Sequence, residues 1–318
     1  MRVVTFGYQT WGYRTLQALI DSDHEVVLSV THPASEHAYK SLWSDSVEDL
    51  AKGNDIDVHI TERVDRETID KVAAAAPDVI VVNSWYTWMP AELYNLPPHG
   101  TLNLHDSLLP KFAGFSPVLW AVISGHTHTG LTVHRMDEEL DAGDILVQRS
   151  IEIRPTDTAP ALVEMTMDLI PDVLKEALAE LEAGTATWTP QDPAERTFFH
   201  KRSESDSLID WRLPAEDLER FVRALADPYP NAYTFYRGQR LRIVDAAVAK
   251  VRYGGTAGRV FVREGDGMAV VVGPDSFRGH NLGLLIKKVR TDDDTVHVAT
   301  DFLARGGFFA STVDRSQR

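Results

Sequence analysis

The chain has 318 residues, 43% hydrophobic and 25% charged, a composition that excludes global disorder and, at this length, predicts two cores rather than one. It has no cysteine, which removes disulfides, thiolate metal sites and cysteine nucleophiles and fits a cytoplasmic, reducing setting. The net charge is −15 and its excess lies before Asp206, from which onward 17 Lys+Arg balance 15 Asp+Glu; neither part has the basic footprint that RNA or an anionic membrane attracts.

A small-molecule substrate is therefore expected, with no nucleic-acid and no membrane partner. Met1–Gly7 reads as a strand running into a glycine turn and not as a signal peptide. No apolar run approaches the ~18 residues of a membrane span. Val3–Phe6, Glu25–Thr31, Val58–Ile60, Asp78–Val82, Thr101–His105, Gly130–Met136 and Ile145–Ile153 read as strands. Between them Arg14–Ile20, Ser46–Lys52, Arg66–Ala75, Ala91–Leu96 and Pro117–Ser124 read as helices. Thr158–Gly184 reads as one long amphipathic helix stopped by Gly184. Strands alternating with helices predict an α/β fold with a doubly wound, mostly parallel sheet. The turn Gly7-Tyr8-Gln9-Thr10-Trp11-Gly12 is neither a dinucleotide fingerprint nor a phosphate loop and reads as a tight strand-to-helix connection.

A polar, proline-bearing break follows, so the predicted layout is a catalytic domain over 1–188, a linker over 189–205 and a second domain over 206–318. Phe198 and Phe199 suggest that the linker docks on something. Beyond it come a helix, Pro214–Leu225, and short strands at Ala232–Tyr236, Leu241–Ala247, Gly258–Val262, Met268–Val272, Gly283–Val289 and His297–Thr300. That spacing suggests a small barrel.

Chemistry concentrates between Asn103 and Asp144. Asn103 and His105 stand two apart on a strand, so their side chains share a face. A Leu-Leu-Pro turn, a second strand and the turn Leu140-Asp141-Ala142-Gly143-Asp144 follow. Each residue alone is also ordinary turn chemistry. Together an amide, an imidazole and a carboxylate can stabilise an oxyanion and move a proton. His126 and His128 lack a carboxylate in register, so no metal is expected.

Asn103-x-His105-x-Ser107-Leu108-Leu109-Pro110, Gly114, Pro117, Thr129-Gly130, Thr132-Val133-His134 and Leu140-Asp141-x-Gly143-Asp144 resemble the 10-formyltetrahydrofolate-dependent formyltransferases. Ile209-Asp210-Trp211 and Asp227-Pro228-Tyr229-Pro230-Asn231-Ala232 are similar to the entry of that family's second domain. The resemblance implies a Rossmann-like domain followed by a small OB-like barrel, with 10-formyltetrahydrofolate as cosubstrate. It maps the catalytic triad onto Asn103, His105 and Asp141, with Ser107 and His134 in support. It places the pterin near Trp85, Tyr86, Trp88 and Met89 and near Leu140, Gly143 and Asp144.

The acceptor implied is a small amine or hydroxylamine. The opening turn and Phe198–Ser203 look most like the formyltransferases of hydroxamate siderophore pathways, which act on N5-hydroxyornithine; Lys201 or Arg202 would then meet its carboxylate. Nucleotide-sugar N-formylation, methionyl-tRNA formylation and hydrolysis of formyltetrahydrofolate are the alternatives. A homodimer is compatible with all of them.

Overall fold

A computed structural model describes residues 1–34 and 42–310; residues 311–318, at the end of the expected second domain, lie outside the described residues. The chain divides into two compact units. The first holds Met1–Val118, His128–Glu152 and Val163–His200; the second holds Leu119–Thr127, Ile153–Leu162 and the chain from Lys201 onward.

The first unit opens with β1 (Arg2–Gly7), α1 (Gln9–Ile20), β2 (Glu25–Thr31), α2 (Val47–Gly53), β3 (Val58–Ile60), α3 (Arg66–Ala75), β4 (Val79–Asn83), α4 (Ala91–Tyr94) and β5 (Thr101–His105). In chain order there follow β6 (Ala113–Gly114), α5 (Pro117–Ile123), β7 (His128–Arg135), β8 (Ile145–Glu152), α6 (Ala159–Asp168), α7 (Ile170–Ala183) and β9 (Phe198–Phe199), of which most of α5 and the first turn of α6 belong to the second unit. The main sheet runs β3-β2-β1-β4-β5-β7-β8; its first five strands are parallel, β7 is reversed against β5, and β8 is antiparallel to β7 and so runs with the first five. β4 reads Val-Ile-Val-Val-Asn and is buried at every residue, as a strand covered on both faces must be.

Val4, Phe6, Val30, Ile80 and Val82 meet Ile69 and Val72 of α3 and Leu93 of α4 in one cluster. A smaller one joins Leu16 of α1 to Val47 and Ala51 of α2. Each such side chain contributes about 1.5–3 kcal/mol by leaving water. Ser46 and Asp65 cap α2 and α3 by accepting the N–H of Asp49 at 3.0 Å and of Thr68 at 2.9 Å.

Two expectations change here. The helix predicted from Arg14 starts at Gln9, so Gly12 lies inside it; a Cβ on Gly12 would stand 2.5 Å from the Gly7 carbonyl carbon. The glycine pair lets α1 lie against β1. The single helix predicted over Thr158–Gly184 is broken at Leu169, because Pro171 has no N–H to give to the preceding turn. Gly184 ends α7 at φ 66°, as expected.

In the second unit α8 (Ala215–Ala224) precedes β10 (Ala232–Tyr236), β11 (Gln239–Arg252), β12 (Val260–Glu264), β13 (Gly267–Val270), β14 (Leu282–Arg290), β15 (Val296–Val298), α9 (Ala299–Phe302) and β16 (Phe309–Ala310). The sheet runs β12-β13-β14-β11-β10-β16, and β15 pairs with β14. The segment leading into β16 closes it on β12: Val260 N–H donates to Gly307 O at 2.9 Å, and Gly306 N–H to Val260 O at 2.8 Å. This is the small barrel the sequence suggested.

β11 is twice the length expected. Its register shifts near Asp245 and again after Val248, so it bends around the barrel, and its Ala-rich middle carries no alternation to read. The strand expected at His297–Thr300 is β15 running into α9.

Candidate active site

β5 ends at the sheet's change of direction, paired with parallel β4 on one side and antiparallel β7 on the other. Asn103 stands opposite His134 of β7, and His105 opposite Thr132. The structure brings Asn103, His105, His134 and Asp141 into one cluster.

Asn103 Nδ2 donates to His134 Nε2 at 3.0 Å. His134 Nδ1 lies 2.9 Å from the Arg135 carbonyl, which can only accept, so Nδ1 carries the proton and Nε2 offers its lone pair to Asn103. Burial drives the His134 pKa down to about 4, keeping the imidazole neutral near pH 7. By the same reasoning His105 Nε2, 2.8 Å from the Phe112 carbonyl, carries that ring's proton. Its free nitrogen, Nδ1, lies 3.8 Å from Asp141 Oδ2, and both side chains are about nine-tenths buried, with 9% and 10% exposure. His134 Nε2 lies 3.9 Å from the other Asp141 oxygen.

Asp141 sits in a left-handed turn at φ 53°, a conformation Asp tolerates better than most residues. Its Oδ2 accepts the Gly114 N–H at 2.8 Å. Gly143 packs so closely that a Cβ there would lie 1.9 Å from the Arg135 carbonyl oxygen. The Asp144 carbonyl accepts the Arg135 N–H at 2.9 Å, anchoring the turn's far end to β7. Leu140 is half exposed beside it, at 52%.

Ser107 is buried and gives its hydroxyl to the Lys111 carbonyl at 2.8 Å, bracing the loop after β5. Its own carbonyl accepts the Thr132 hydroxyl at 2.6 Å, and Gln148 Nε2 binds both Thr132 Oγ1 and the Leu109 carbonyl at 2.9 Å. The loop's other strand is supplied by the supposed linker. β6 pairs with β9 in parallel, and the Phe112 ring stacks on Phe199 at 5.0 Å.

The four residues expected after β4 part company. Met89 is enclosed in the hydrophobic core with Phe6 and Leu93. Trp85 meets Phe6 edge-on and stacks on His32 at 3.8 Å, while Tyr86 stacks on His32 at 3.9 Å. Two rings cannot occupy one face of an imidazole, so His32 is sandwiched. Trp88 stands outside this stack, 69% exposed. No motif surrounds His32, which follows β2, so nothing in the residue pattern pointed to it. It also missed the carbonyl of Phe112 and the N–H of Gly114, because backbone groups leave no trace in residue type. Arg202, expected to meet a substrate carboxylate, lies over Trp120 and Phe221 and donates to the Asp206 carbonyl. Among the described residues no three His, Asp or Glu side chains are grouped to hold a metal ion. No helix among them is long and apolar enough to cross a membrane.

Comparison with known proteins gives this geometry a family. The model described as formyl transferase matches residues 1–178, and that described as formyl transferase, C-terminal domain, matches 201–306. A methionyl-tRNA formyltransferase of Lachnospira eligens is 38% identical over 251 residues, 78% of this chain and 79% of its own. That of Desulfotalea psychrophila is 32% identical over 315 residues, covering 98% and 95%. HypX from Aquifex aeolicus, solved in complex with tetrahydrofolic acid, matches 96% of the chain at a TM-score of 0.60 and 20% identity. This chain spans about half (47%) of the HypX length, and that likeness is one of fold. With matched domains over both units and relatives of this identity, the chain belongs to the formyl transferase family.

Proposed function

We propose that the protein moves the formyl group of 10-formyltetrahydrofolate to the nitrogen of a small amine or hydroxylamine. The observation that carries this reading is the pair of fixed tautomers around Asn103 and His105. Neutral His134 takes one N–H of the Asn103 amide and so aims the other outward, where it suits the oxygen of a formyl amide. When the acceptor nitrogen attacks the formyl carbon, the C=O oxygen becomes an anion and Asn103 donates to it. His105 Nδ1 takes the proton the nitrogen sheds. The imidazolium then has an acceptor for each N–H, the Phe112 carbonyl at Nε2 and the Asp141 carboxylate facing Nδ1. Collapse of the adduct breaks the bond to N10 of the folate, which leaves with the proton that the His105 imidazolium gives up, restoring the neutral ring. Leu140, Trp88 and Tyr86, all exposed, are the apolar surfaces offered to a pterin, whereas Met89 is not available to one.

For the acceptor, N5-hydroxyornithine is the first candidate. A hydroxylamine nitrogen is unprotonated near neutral pH and asks little of the base. Charge supports a small acceptor: in the second unit Arg240, Arg242, Lys287 and Arg290 each meet a carboxylate, leaving little net field for a phosphate backbone. A second reading is favoured by the methionyl-tRNA formyltransferases that the chain resembles over most of its length, and it makes the amine that of methionyl-tRNA.

The test is release of tetrahydrofolate from 10-formyltetrahydrofolate with N5-hydroxyornithine, ornithine, an aminodeoxy nucleotide-sugar or methionyl-tRNA, ranked by kcat/KM. Acceptor-dependent release led by a small amine supports the proposal. Preference for methionyl-tRNA by more than about tenfold supports the second reading. Release independent of any acceptor makes the protein a hydrolase.

A further inference from the structure

Gln191 lies between α7 and β9, in the stretch that reads as a linker. Its amide reaches back to the turn carrying Asp141: Nε2 donates to the Asp141 carbonyl at 2.9 Å and to the Gly143 carbonyl at 2.8 Å. An NH₂ group has two hydrogens, so both bonds form together. The flipped amide would press Oε1 against two carbonyl oxygens, so this orientation is fixed. Oε1 itself is buried and has no partner among the described residues. An unsatisfied buried acceptor is a cost that an apolar side chain of the same shape would not carry, so what the amide contributes here is its pair of donors.

The same stretch governs the other hold on Asp141. The Gly114 N–H that binds the carboxylate sits in a loop zipped to residues 197–199. Phe112 N–H donates to Thr197 Oγ1 at 2.9 Å, Ala113 N–H to the Thr197 carbonyl at 2.9 Å and Phe115 N–H to the Phe199 carbonyl at 3.0 Å. Residues 191–199 therefore fix Asp141 at both ends, the backbone through Gln191 and the carboxylate through the loop.

We propose that Gln191 is a positioning residue for formyl transfer, clamping the left-handed Asp141 turn so that its carboxylate stays opposite His105. The inference rests on the role given above to Asp141. Gln191→Met keeps the length and shape of the side chain and removes both donors. Its kcat is expected to fall about ten- to thirtyfold, with KM for 10-formyltetrahydrofolate within about twofold of wild type, because the loss belongs to the transition state. In an Asp141→Asn background the same substitution is expected to cost less than about twofold, since the group it positions has been disarmed.

Equal losses in the two backgrounds, a change in KM alone, or full activity of Gln191→Met overturns the proposal. Should Gln191→Met melt below the assay temperature, Gln191→Asn, polar but too short to span both carbonyls, replaces it in the same cycle and is read the same way. Failure of the wild-type protein to formylate any amine would instead sink the proposed function. An active wild type with an indifferent Gln191 sinks only this inference.

Discussion

His134 holds Asn103 only while its Nε2 is bare, and that gives the site a lower pH limit. The folded-state pKa of about 4 lies below the ordinary 6.5, so the neutral ring's contribution to stability is complete above pH 6.5 and is lost as pH falls through 4. Denaturation midpoints of the wild type should therefore decline across that window more steeply than those of His134→Phe; parallel slopes would contradict the assignment. Asp106, the next residue after His105, works in the opposite sense. Its carboxyl accepts the Trp11 indole N–H at 2.5 Å, and burial pushes its pKa up from 3.8 to about 6. The folded protein then keeps a proton that the unfolded chain gives up, so stability falls as pH rises from 3.8 to 6 and stays reduced above. Asp106→Asn, which retains an acceptor for Trp11, is expected to gain on the order of 2 kcal/mol at pH 8 and almost nothing at pH 4. The reacting residues themselves are tested by Asn103→Ala, His105→Ala and Asp141→Asn. Each should lower kcat by about 10²-fold with melting temperature little changed; a fully active Asp141→Asn would remove the carboxylate from the mechanism.

At the scale of elements, the Asp141 turn works because Gly143 lets it lie on the end of β7. In Gly143→Ala the methyl would meet the Arg135 carbonyl at 1.9 Å, so the turn must lift and carry Asp141 away from His105. A loss of at least about tenfold in kcat is expected, as misplacement of a catalytic group produces, and an unchanged kcat would show that the turn has room to give. How much of this could be read beforehand divides by the kind of contact. β4 was legible because a continuous apolar run bounded by turn residues has few other uses, and in β5 Asn103 and His105 share a face by strand geometry alone. The break between α6 and α7 was written in Pro171, yet the surrounding hydrophobic period passes straight through it. Gln191 was illegible: its partners are two carbonyls some fifty residues away, and a glutamine among Thr, Pro and Asp looks like any solvated connection. The length of β11 was hidden because its bulges cancel the alternation by which strands are recognised.

Over the whole molecule the sign and pairing of charge set what kind of acceptor is drawn in. The net charge of −15 opposes a polyanion at long range, and in the second unit Arg240, Arg242 and Arg290 are each paired with a carboxylate. For a small acceptor, kcat/KM is expected to change less than about threefold between 50 and 200 mM salt. A protein that neutralises 6–10 phosphates loses roughly 10³–10⁵ in affinity over that interval. A steep decline with methionyl-tRNA as the preferred acceptor would decide for the second reading.

The closure between Gly306, Gly307 and Val260 protects more than the shape of the second unit. A strand with unpaired N–H and C=O groups is a template for another chain, and a closed sheet has no such edge. Among the described residues the seam is made by a few at 306–310, which cover the outer sides of β10 and β12 together. Ending the chain after Arg305 would uncover two adhesive borders at once while leaving the Asn103 cluster's own residues in place. Such a truncation is expected to self-associate in a concentration-dependent way, visible by light scattering. A monodisperse truncated protein would mean that the sheet's edges are guarded by something other than the seam.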